Sequence, residues 1–267
     1  MRAVVFRSFG GPEVLELAEV PAPRPGPRDV VVRVAAATVN RLDIEFRQTG
    51  FGFASADFPF PHVGGADAAG IVSEVGREVT EVAPGDRVVL YSFITCGRCQ
   101  PCRNRWPENT CWNYQLFGVQ RWGGYAEYVR VPVDNIVPLP ATVPFQHAAC
   151  LPISYVTAWH GLINRAGVGP GDQVLVMGGT SATGTAAVQI AKLRGARVMA
   201  VGRTDWKLQR LLELGADAVV RLGNEGWTAK ARDALGGRGA TVLFDTLGAV
   251  TWANVHELVD RGARVAV

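Results

Sequence analysis

Four cysteines that lie within sixteen residues of the chain are its strongest chemical signal. Cys96, Cys99, Cys102 and Cys111 are separated by two, two and eight residues. Four thiolates complete a tetrahedral shell around zinc and leave no coordination position open, which is the pattern of a structural rather than a catalytic site. Redox-active thiols and plain buried cysteines are the alternatives. The spacing predicts one structural zinc ion in a lobe of about residues 92–115.

A glycine-rich turn that joins a predicted strand to a predicted helix is the second chemical feature. Glycine lets such a turn approach a pyrophosphate closely, and the helix N-terminus adds N–H groups and a positive dipole end. Ser181 stands at the middle glycine position of the usual fingerprint, so a glycine-rich loop without a ligand is the alternative. In its strand–turn–helix context the run predicts a dinucleotide site. Its predicted contacts are Gly178, Ser181, Ala182, Thr183 and Gly184.

The end of the next predicted strand bears on the choice of cofactor. Sites for NAD place an Asp or Glu there to bind the ribose hydroxyls, whereas a 2′-phosphate repels a carboxylate and favours arginine. Gly202 takes that position in this chain, and Arg203 and Lys207 follow it. Solvated charges at the start of a helix are the alternative. The pattern favours NADP(H) over NAD(H).

Composition narrows the class of protein. Of the 267 residues, 48% are apolar and 19% are charged, which is typical of a soluble enzyme and not of a disordered chain. The net charge is only +3 with no basic stripe, so nucleic acid and anionic membrane are not expected as partners. No apolar run reaches the roughly 18 residues needed to span a bilayer. Clustered cysteines without a signal peptide indicate a cytoplasmic protein.

The elements that would position these residues change character along the chain. Short β-branched runs at residues 30–34 and 87–90 predict a β-rich first half. Strands and helices then alternate, which predicts a doubly wound parallel sheet and an α/β fold. We place a β-rich domain at residues 1–145 and a dinucleotide-binding domain at 146–267. The predicted strands of the second domain are 173–177, 197–201, 218–220, 241–244 and 264–267, with helices near 186–193 and 207–214.

The whole chain resembles the medium-chain dehydrogenase/reductase superfamily, in which a GroES-like β domain precedes a Rossmann domain. The resemblance is carried by a series of motifs in family order. They are GGADAAGIVSEVG at residues 64–76, PGDRV at 84–88, the cysteine lobe, GGYAEY at 123–128 and LGAD at 214–217. Asn40 to Asp43, followed by Arg47, has the form seen in quinone-oxidoreductase-like members.

Zinc alcohol dehydrogenases of this superfamily hold a second, catalytic zinc, and its three ligand positions are changed in this chain. By alignment the ligands would fall at Asn40, Ala66 and Ile153, none of which can bind zinc as the family does. Leu42 also replaces the hydroxyl of the family's proton relay. The resemblance therefore implies a member without catalytic zinc, which reduces quinones or activated enones with NADPH.

Hydride addition to a quinone or enone is assisted by the conjugated carbonyl, so the protein must mainly orient the acceptor and stabilise its developing oxyanion. Asn40 and Thr157 are the candidate catalytic residues: the Asn40 amide would meet the acceptor oxygen, and Thr157 matches a family position at the nicotinamide. Asp43 would orient its neighbours. Arg41 matches a position that can reach the pyrophosphate, and a surface arginine is the alternative.

Two further hypotheses remain open from the sequence. One is a zinc-type alcohol dehydrogenase, against which the changed ligand positions count. The other is a truncated, non-catalytic superfamily member that only binds nucleotide. This hypothesis is based on the six strands that such sheets commonly have. Residues 264–267 would form only the fifth strand, and its apolar, unpaired edge would aggregate or find another partner. Full-length relatives are expected to form homodimers or homotetramers.

Overall fold

The computed structural model of the protein describes residues 1–52 and 58–267. The chain divides into two units, Met1–Ile153 and Ser154–Val267, and each is described by itself. The division falls eight residues after the predicted boundary at 145. The reason lies in packing, because Ala148 and Ala149 are fully buried against Ala69 and Val89 of the first unit. Among the described residues, no helix is both long and apolar enough to cross a membrane.

Unit 1 is built from short antiparallel strands. A five-stranded sheet has the order β10-β6-β5-β3-β9, a three-stranded sheet the order β2-β1-β4, and β7 pairs with β8. The strands in the described part are β1 (Arg2–Phe6), β2 (Glu16–Glu19), β3 (Asp29–Ala37), β4 (His62–Val63), β5 (Ala68–Val75), β6 (Arg87–Leu90), β7 (Phe93–Ile94), β8 (Gln115–Leu116), β9 (Tyr128–Pro132) and β10 (Ile136–Pro138).

The core of unit 1 follows the alternation of its strands. Val30 and Val32 of β3 face inward with Val72 of β5, because the side chains of a strand point to opposite faces with a period of two. Beyond the end of β3, the chain turns through Asn40 into a helix. The helices of this unit are α1 (Arg41–Thr49), α2 (Gln100–Arg103) and α3 (Phe145–Ala148).

Unit 2 contains a parallel five-stranded sheet with the order β13-β12-β11-β14-β15. Its strands are β11 (Gln173–Met177), β12 (Arg197–Gly202), β13 (Ala218–Arg221), β14 (Ala240–Asp245) and β15 (Val259–Ala266). In sequence order this is the 3-2-1-4-5 arrangement of a doubly wound sheet, so the predicted α/β fold class is confirmed. The strands β11 and β12 are almost wholly buried, as expected of a parallel sheet covered on both faces.

Helices connect these strands, and the first segment of unit 2 is irregular. The α-helices are α4 (Val156–Trp159), α5 (Ala182–Leu193), α6 (Asp205–Glu213), α7 (Trp227–Ala234) and α8 (Val255–Leu258). Helix α4 lies between two π-helical segments, Leu151–Tyr155 and His160–Arg165, the first of which begins in unit 1. Helix α6 starts two residues earlier than predicted, so Lys207 lies within its first turn.

The fifth strand differs from the sequence prediction. It begins at Val259 rather than at residue 264 and pairs with β14 through a register shift. Asp260, Arg261 and Arg264 are exposed on it, and Val265 is 44% exposed, so the strand carries both charged and apolar exposed side chains. Charged side chains are the usual way to protect a strand at the edge of a sheet. Arg264 also donates to the carbonyl of Ala166.

Candidate functional site

The four clustered cysteines converge on one point in unit 1. Their sulfur atoms all lie within 4.8 Å of one another. Individual Sγ–Sγ separations are 3.4 Å for Cys99–Cys102, 3.9 Å for Cys99–Cys111 and 4.0 Å for Cys96–Cys102. A tetrahedral ion with 2.3 Å metal–sulfur bonds requires sulfur atoms about 3.8 Å apart, so the donor set fits zinc.

Local backbone geometry holds this cluster in place. Cys96, Cys99 and Cys102 come from the loop that follows β7 and from α2, and Cys111 follows a short helical turn. The backbone N–H of Cys96 points at the Cys111 sulfur at 3.4 Å. Hydrogen bonds from the N–H groups of Arg98 and Cys99 hold the pKa of the Cys96 thiol below its ordinary value, which favours the thiolate that a metal needs. The exposed Cys150 lies on a different segment, where its thiol donates to the Gln146 carbonyl at 3.2 Å.

The glycine-rich turn of unit 2 has the geometry of an anion-binding loop. Gly178 adopts a φ of +76°, which allows the chain to leave β11 and turn directly into α5. Ser181 caps that helix, because its Oγ accepts from the Gly184 N–H at 3.0 Å. Ser181 and Ala182 are exposed and Thr183 is half-buried, so the backbone at the helix N-terminus is accessible to a ligand.

The end of β12 lies beside this turn. A Cβ atom at Gly202 would come within 2.5 Å of the Thr180 side chain, so a larger residue at this position would require that side chain to shift. Arg203 and Lys207 are exposed, and the Lys207 ammonium lies 5.4 Å from the ring centroid of Trp206. The acidic residue at the start of α6 is Asp205, and its carboxylate pairs with Arg221.

Asp245 is a residue of unit 2 that sequence reasoning missed. It ends β14 directly beside Met177 of β11, at the point where the strand order of the sheet reverses. Its Oδ1 accepts from the N–H of Leu247 at 2.8 Å. Its Oδ2 is buried and has no hydrogen-bond partner among the described residues. Crevices at such switch points are where doubly wound sheets bind their ligands.

Asn40 and Asp43 form the start of helix α1 in unit 1. The Asp43 carboxylate accepts from the backbone N–H of Asn40 at 2.7 Å and from that of Ala66 at 2.9 Å, which links the start of α1 to the segment before β5. Burial raises the pKa of Asp43, although these hydrogen bonds oppose the shift. The Asn40 side chain is nearly buried, at 8% exposure, and its amide donates to Asp67 at 2.7 Å.

Asp67 is a second buried carboxylate that sequence reasoning did not single out. It is 1% exposed and accepts from Thr38 Oγ1 at 2.8 Å, from Asn40 Nδ2 at 2.7 Å and from the Ile153 N–H at 3.0 Å. Burial raises the pKa of Asp67 to about 6, with the nearby Asp43 charge adding to the shift. A sequence signal existed, since Asp67 is the only charged residue in the apolar stretch 63–72.

Each of the three positions that align with catalytic zinc ligands thus donates a hydrogen bond to one of two carboxylates. Asp67 binds Asn40 and Ile153, and Asp43 binds Ala66. In the described residues, the four clustered cysteines are the one group of three or more His, Cys, Asp or Glu side chains close enough to share a metal ion. Hydrogen bonds therefore connect the segments that metal ligands occupy in zinc alcohol dehydrogenases.

The remaining predicted residues lie on helix surfaces. Arg41 is exposed on α1 and pairs with Glu45 at 2.6 Å. Thr157 is exposed on α4 of unit 2. Its neighbour Tyr155 packs against the core of that unit and accepts from Gln189 Nε2 at 2.7 Å. The structure therefore brings together two sets within single units: Asn40 with Asp43, and the glycine turn with Gly202.

Comparison with known proteins agrees with this architecture. Residues 26–141 match the alcohol dehydrogenase GroES-like domain family, and residues 182–267 match the zinc-binding dehydrogenase family. A quinone oxidoreductase of Mus musculus is 31% identical over 270 positions, which cover 100% of this chain and 72% of the relative. An alcohol dehydrogenase of Rhizobium meliloti is 38% identical over 225 positions, which cover 82% of this chain and 63% of the relative.

A solved structure described as an NAD-dependent alcohol dehydrogenase superposes with a TM-score of 0.94 at 45% identity, and the match covers 99% of this chain and 76% of that one. The predicted resemblance is confirmed by these matches, which extend across both units. The chain is an oxidoreductase that belongs to the medium-chain dehydrogenase/reductase superfamily, in its quinone-oxidoreductase-like branch.

Proposed function

We propose that the protein transfers a hydride from NADPH to a quinone or activated enone without a catalytic zinc. The observation that carries this proposal is the Asp67 carboxylate, which binds Asn40 and Ile153 where the family's metal ligands would stand. An acceptor whose carbonyl is conjugated needs orientation and hydrogen bonding more than a Lewis acid. The exposed Thr157 is proposed to contact the nicotinamide.

Alcohol dehydrogenase activity is the second candidate, and the names of two relatives favour it. The donor set of this chain fits that chemistry poorly, because an asparagine amide, an alanine and an isoleucine replace the ligands. A panel of acceptors and alcohols distinguishes the two activities. We expect NADPH to be consumed with quinones or enones, and we expect little oxidation of simple alcohols with NAD⁺ or NADP⁺. Alcohol oxidation that exceeds quinone and enone reduction would overturn the proposal.

The proposed cofactor site consists of the turn from Gly178 to Gly184 and the end of β12. The accessible N-terminus of α5 would bind the pyrophosphate, and Arg203 and Lys207 would pair with the 2′-phosphate. One solved relative is described as NAD-dependent, so the preference of this chain for NADP(H) over NAD(H) needs a test of its own. Two features support NADPH: Gly202 offers no carboxylate to the ribose, and Asp205 is already paired with Arg221.

We expect wild-type protein to bind NADPH more tightly than NADH. Replacing Arg203 with alanine should weaken NADPH binding by about 1–3 kcal/mol, the range for a charge-assisted contact, and leave NADH nearly unchanged. Arg210→Ala is the matched control, since Arg210 is an exposed arginine on α6, the helix that follows Arg203, and it pairs with Glu213. Fluorescence titration measures both affinities. Equal affinity of the wild type for the two cofactors would contradict the assignment.

The thiol cluster is proposed to hold one structural zinc ion per chain through Cys96, Cys99, Cys102 and Cys111. Bound zinc would stabilise the lobe at residues 92–115 and take no part in hydride transfer. We expect elemental analysis to find one zinc per chain, and none in Cys99→Ser. Cys150→Ser, the control, should keep its zinc. Two zinc ions per chain, or none, in the wild type would contradict the assignment.

A further inference from the structure

The hydrogen bonds around Asp67 come from neutral donors on separate segments. Thr38 and Asn40 follow β3, and Ile153 lies at the end of unit 1. The Ser92 hydroxyl lies 3.4 Å from Asp67 but only 2.7 Å from the Ala66 carbonyl, to which it gives its single hydrogen. Asp67 has no cationic partner among the described residues, so it depends on these donors, because losing one leaves a charge poorly solvated in a low-dielectric interior.

Asn40 is therefore held from two sides. Its backbone N–H donates to Asp43 at 2.7 Å, and its side-chain amide donates to Asp67 at 2.7 Å and lies 3.4 Å from Thr38 Oγ1. An ionised carboxylate accepts hydrogen bonds only, whereas a protonated one can also donate. While Asp67 is ionised, the Asn40 amide cannot be withdrawn from it without leaving the carboxylate short of a donor.

We propose that Asp67 is a positioning residue whose protonation releases the Asn40 amide to donate to the oxygen of the hydride acceptor. This inference rests on the proposed function, in which Asn40 stabilises the developing oxyanion. In the ionised state one amide hydrogen is given to Asp67 and the other is directed at Thr38 Oγ1. In the protonated state Asp67 no longer requires that donor, and the amide becomes available to the acceptor. Asp67 does not itself touch the acceptor.

The charges around Asp67 allow it to titrate near neutral pH. Asp43 on α1 faces it, and the two negative charges disfavour each other. Burial raises the pKa of Tyr125 and that of the Cys150 thiol, and the Asp67 charge adds to both shifts, so these two groups stay neutral over the pH range of the test. Arg47 on α1 acts on Tyr125 in the opposite direction. Burial, the largest effect at Asp67, raises its pKa to about 6.

The first test is the pH profile of kcat/KM for quinone or enone reduction. We expect the wild type to lose about tenfold between pH 5 and pH 7, because the protonated fraction of Asp67 falls by that factor. Asp67→Asn cannot ionise and should give a flat profile. Asp29→Asn is the control, since Asp29 is a half-buried carboxylate at the opposite end of β3 and should keep the wild-type profile. An Asp67→Asn profile that falls like the wild type would overturn the proposal.

The second test needs no turnover. In ¹⁵N-labelled wild-type protein, the side-chain amide signals of Asn40, assigned by their loss in Asn40→Ser, should titrate with a midpoint near pH 6. The same titration should appear in Asp29→Asn. Signals that do not move between pH 5 and pH 8 would overturn the inference, even if Asp67→Asn does not fold. If no acceptor is reduced, the proposed function fails, and the titration still decides whether Asp67 controls Asn40.

Discussion

Replacing Gly184 with alanine is expected to lower the free energy of unfolding of unit 2 by about 3 kcal/mol, as overpacking does in a core without room to relax. A Cβ atom at this position would lie 2.3 Å from the Gly178 carbonyl oxygen and 2.7 Å from the Gly179 Cα. Both contacts are with backbone, so relief requires α5 to move away from β11. That movement would also displace the N-terminus of α5 from the proposed pyrophosphate site.

Urea denaturation and hydrogen exchange of the β11 amides would measure this loss, and nucleotide titration should show a parallel loss of affinity. Gly169→Ala is the matched control in the same unit, because nothing lies within 4 Å of its Cβ position. Its expected change is below about 0.5 kcal/mol. If the two variants are equally stable, the close approach of α5 to the turn is not a requirement of the fold.

His62→Gln is expected to remove a pH-dependent contribution to stability of about 2 kcal/mol between pH 5 and pH 7. His62 is 2% exposed and packs against the rings of Phe6, Phe46 and Phe58. Burial lowers its pKa from 6.5 to about 4. The unfolded chain therefore binds a proton in this range that the folded chain does not, so stability rises with pH from 4 to 6.5 and is fully present above it.

The pKa shift of Asp67 changes the free energy of unfolding with pH in the opposite direction. Its pKa is raised from 3.8 to about 6, so the folded chain holds the extra proton, and about 1 kcal/mol of stability is lost as the pH rises from 5 to 7. The test compares urea unfolding free energies at the two pH values in wild type, His62→Gln and His147→Gln. The exposed His147 is the control and should leave the dependence unchanged. A His62→Gln protein with the wild-type pH dependence would contradict the expectation.

Much of the fold could be predicted from the sequence because its signals are local. The spacing of four cysteines needed no knowledge of the fold, and their sulfur atoms do converge. The alternation of apolar strands with helices predicted the parallel sheet, since buried parallel strands are continuously apolar. The edge strand β15 was mispredicted because its charged residues interrupt the apolar pattern at Asp260 and Arg261.

The buried carboxylates could not be predicted in the same way. Asp67 binds groups 29, 27 and 86 residues away along the chain, and no periodicity connects such partners. Asn40 and Ala66 at positions of catalytic zinc ligands indicate that metal-binding groups are replaced there, but they do not predict the role of the carboxylate beside them. Likewise, no sequence pattern marks the Oδ2 of Asp245, which is buried at the end of β14 without a hydrogen-bond partner among the described residues.

The cysteine lobe at residues 92–115 is expected to evolve differently from the rest of the chain. Its Trp106 and Trp112 are 51% and 68% exposed. Large aromatic side chains are usually buried in segments whose shape depends on hydrophobic packing. A segment whose shape is maintained by the proposed sulfur–zinc bonds would need little such packing. Substitutions between the cysteines should therefore be tolerated more readily than those in the parallel sheet. Lineages of this chain are expected to diverge fastest in this lobe while its four cysteines are retained.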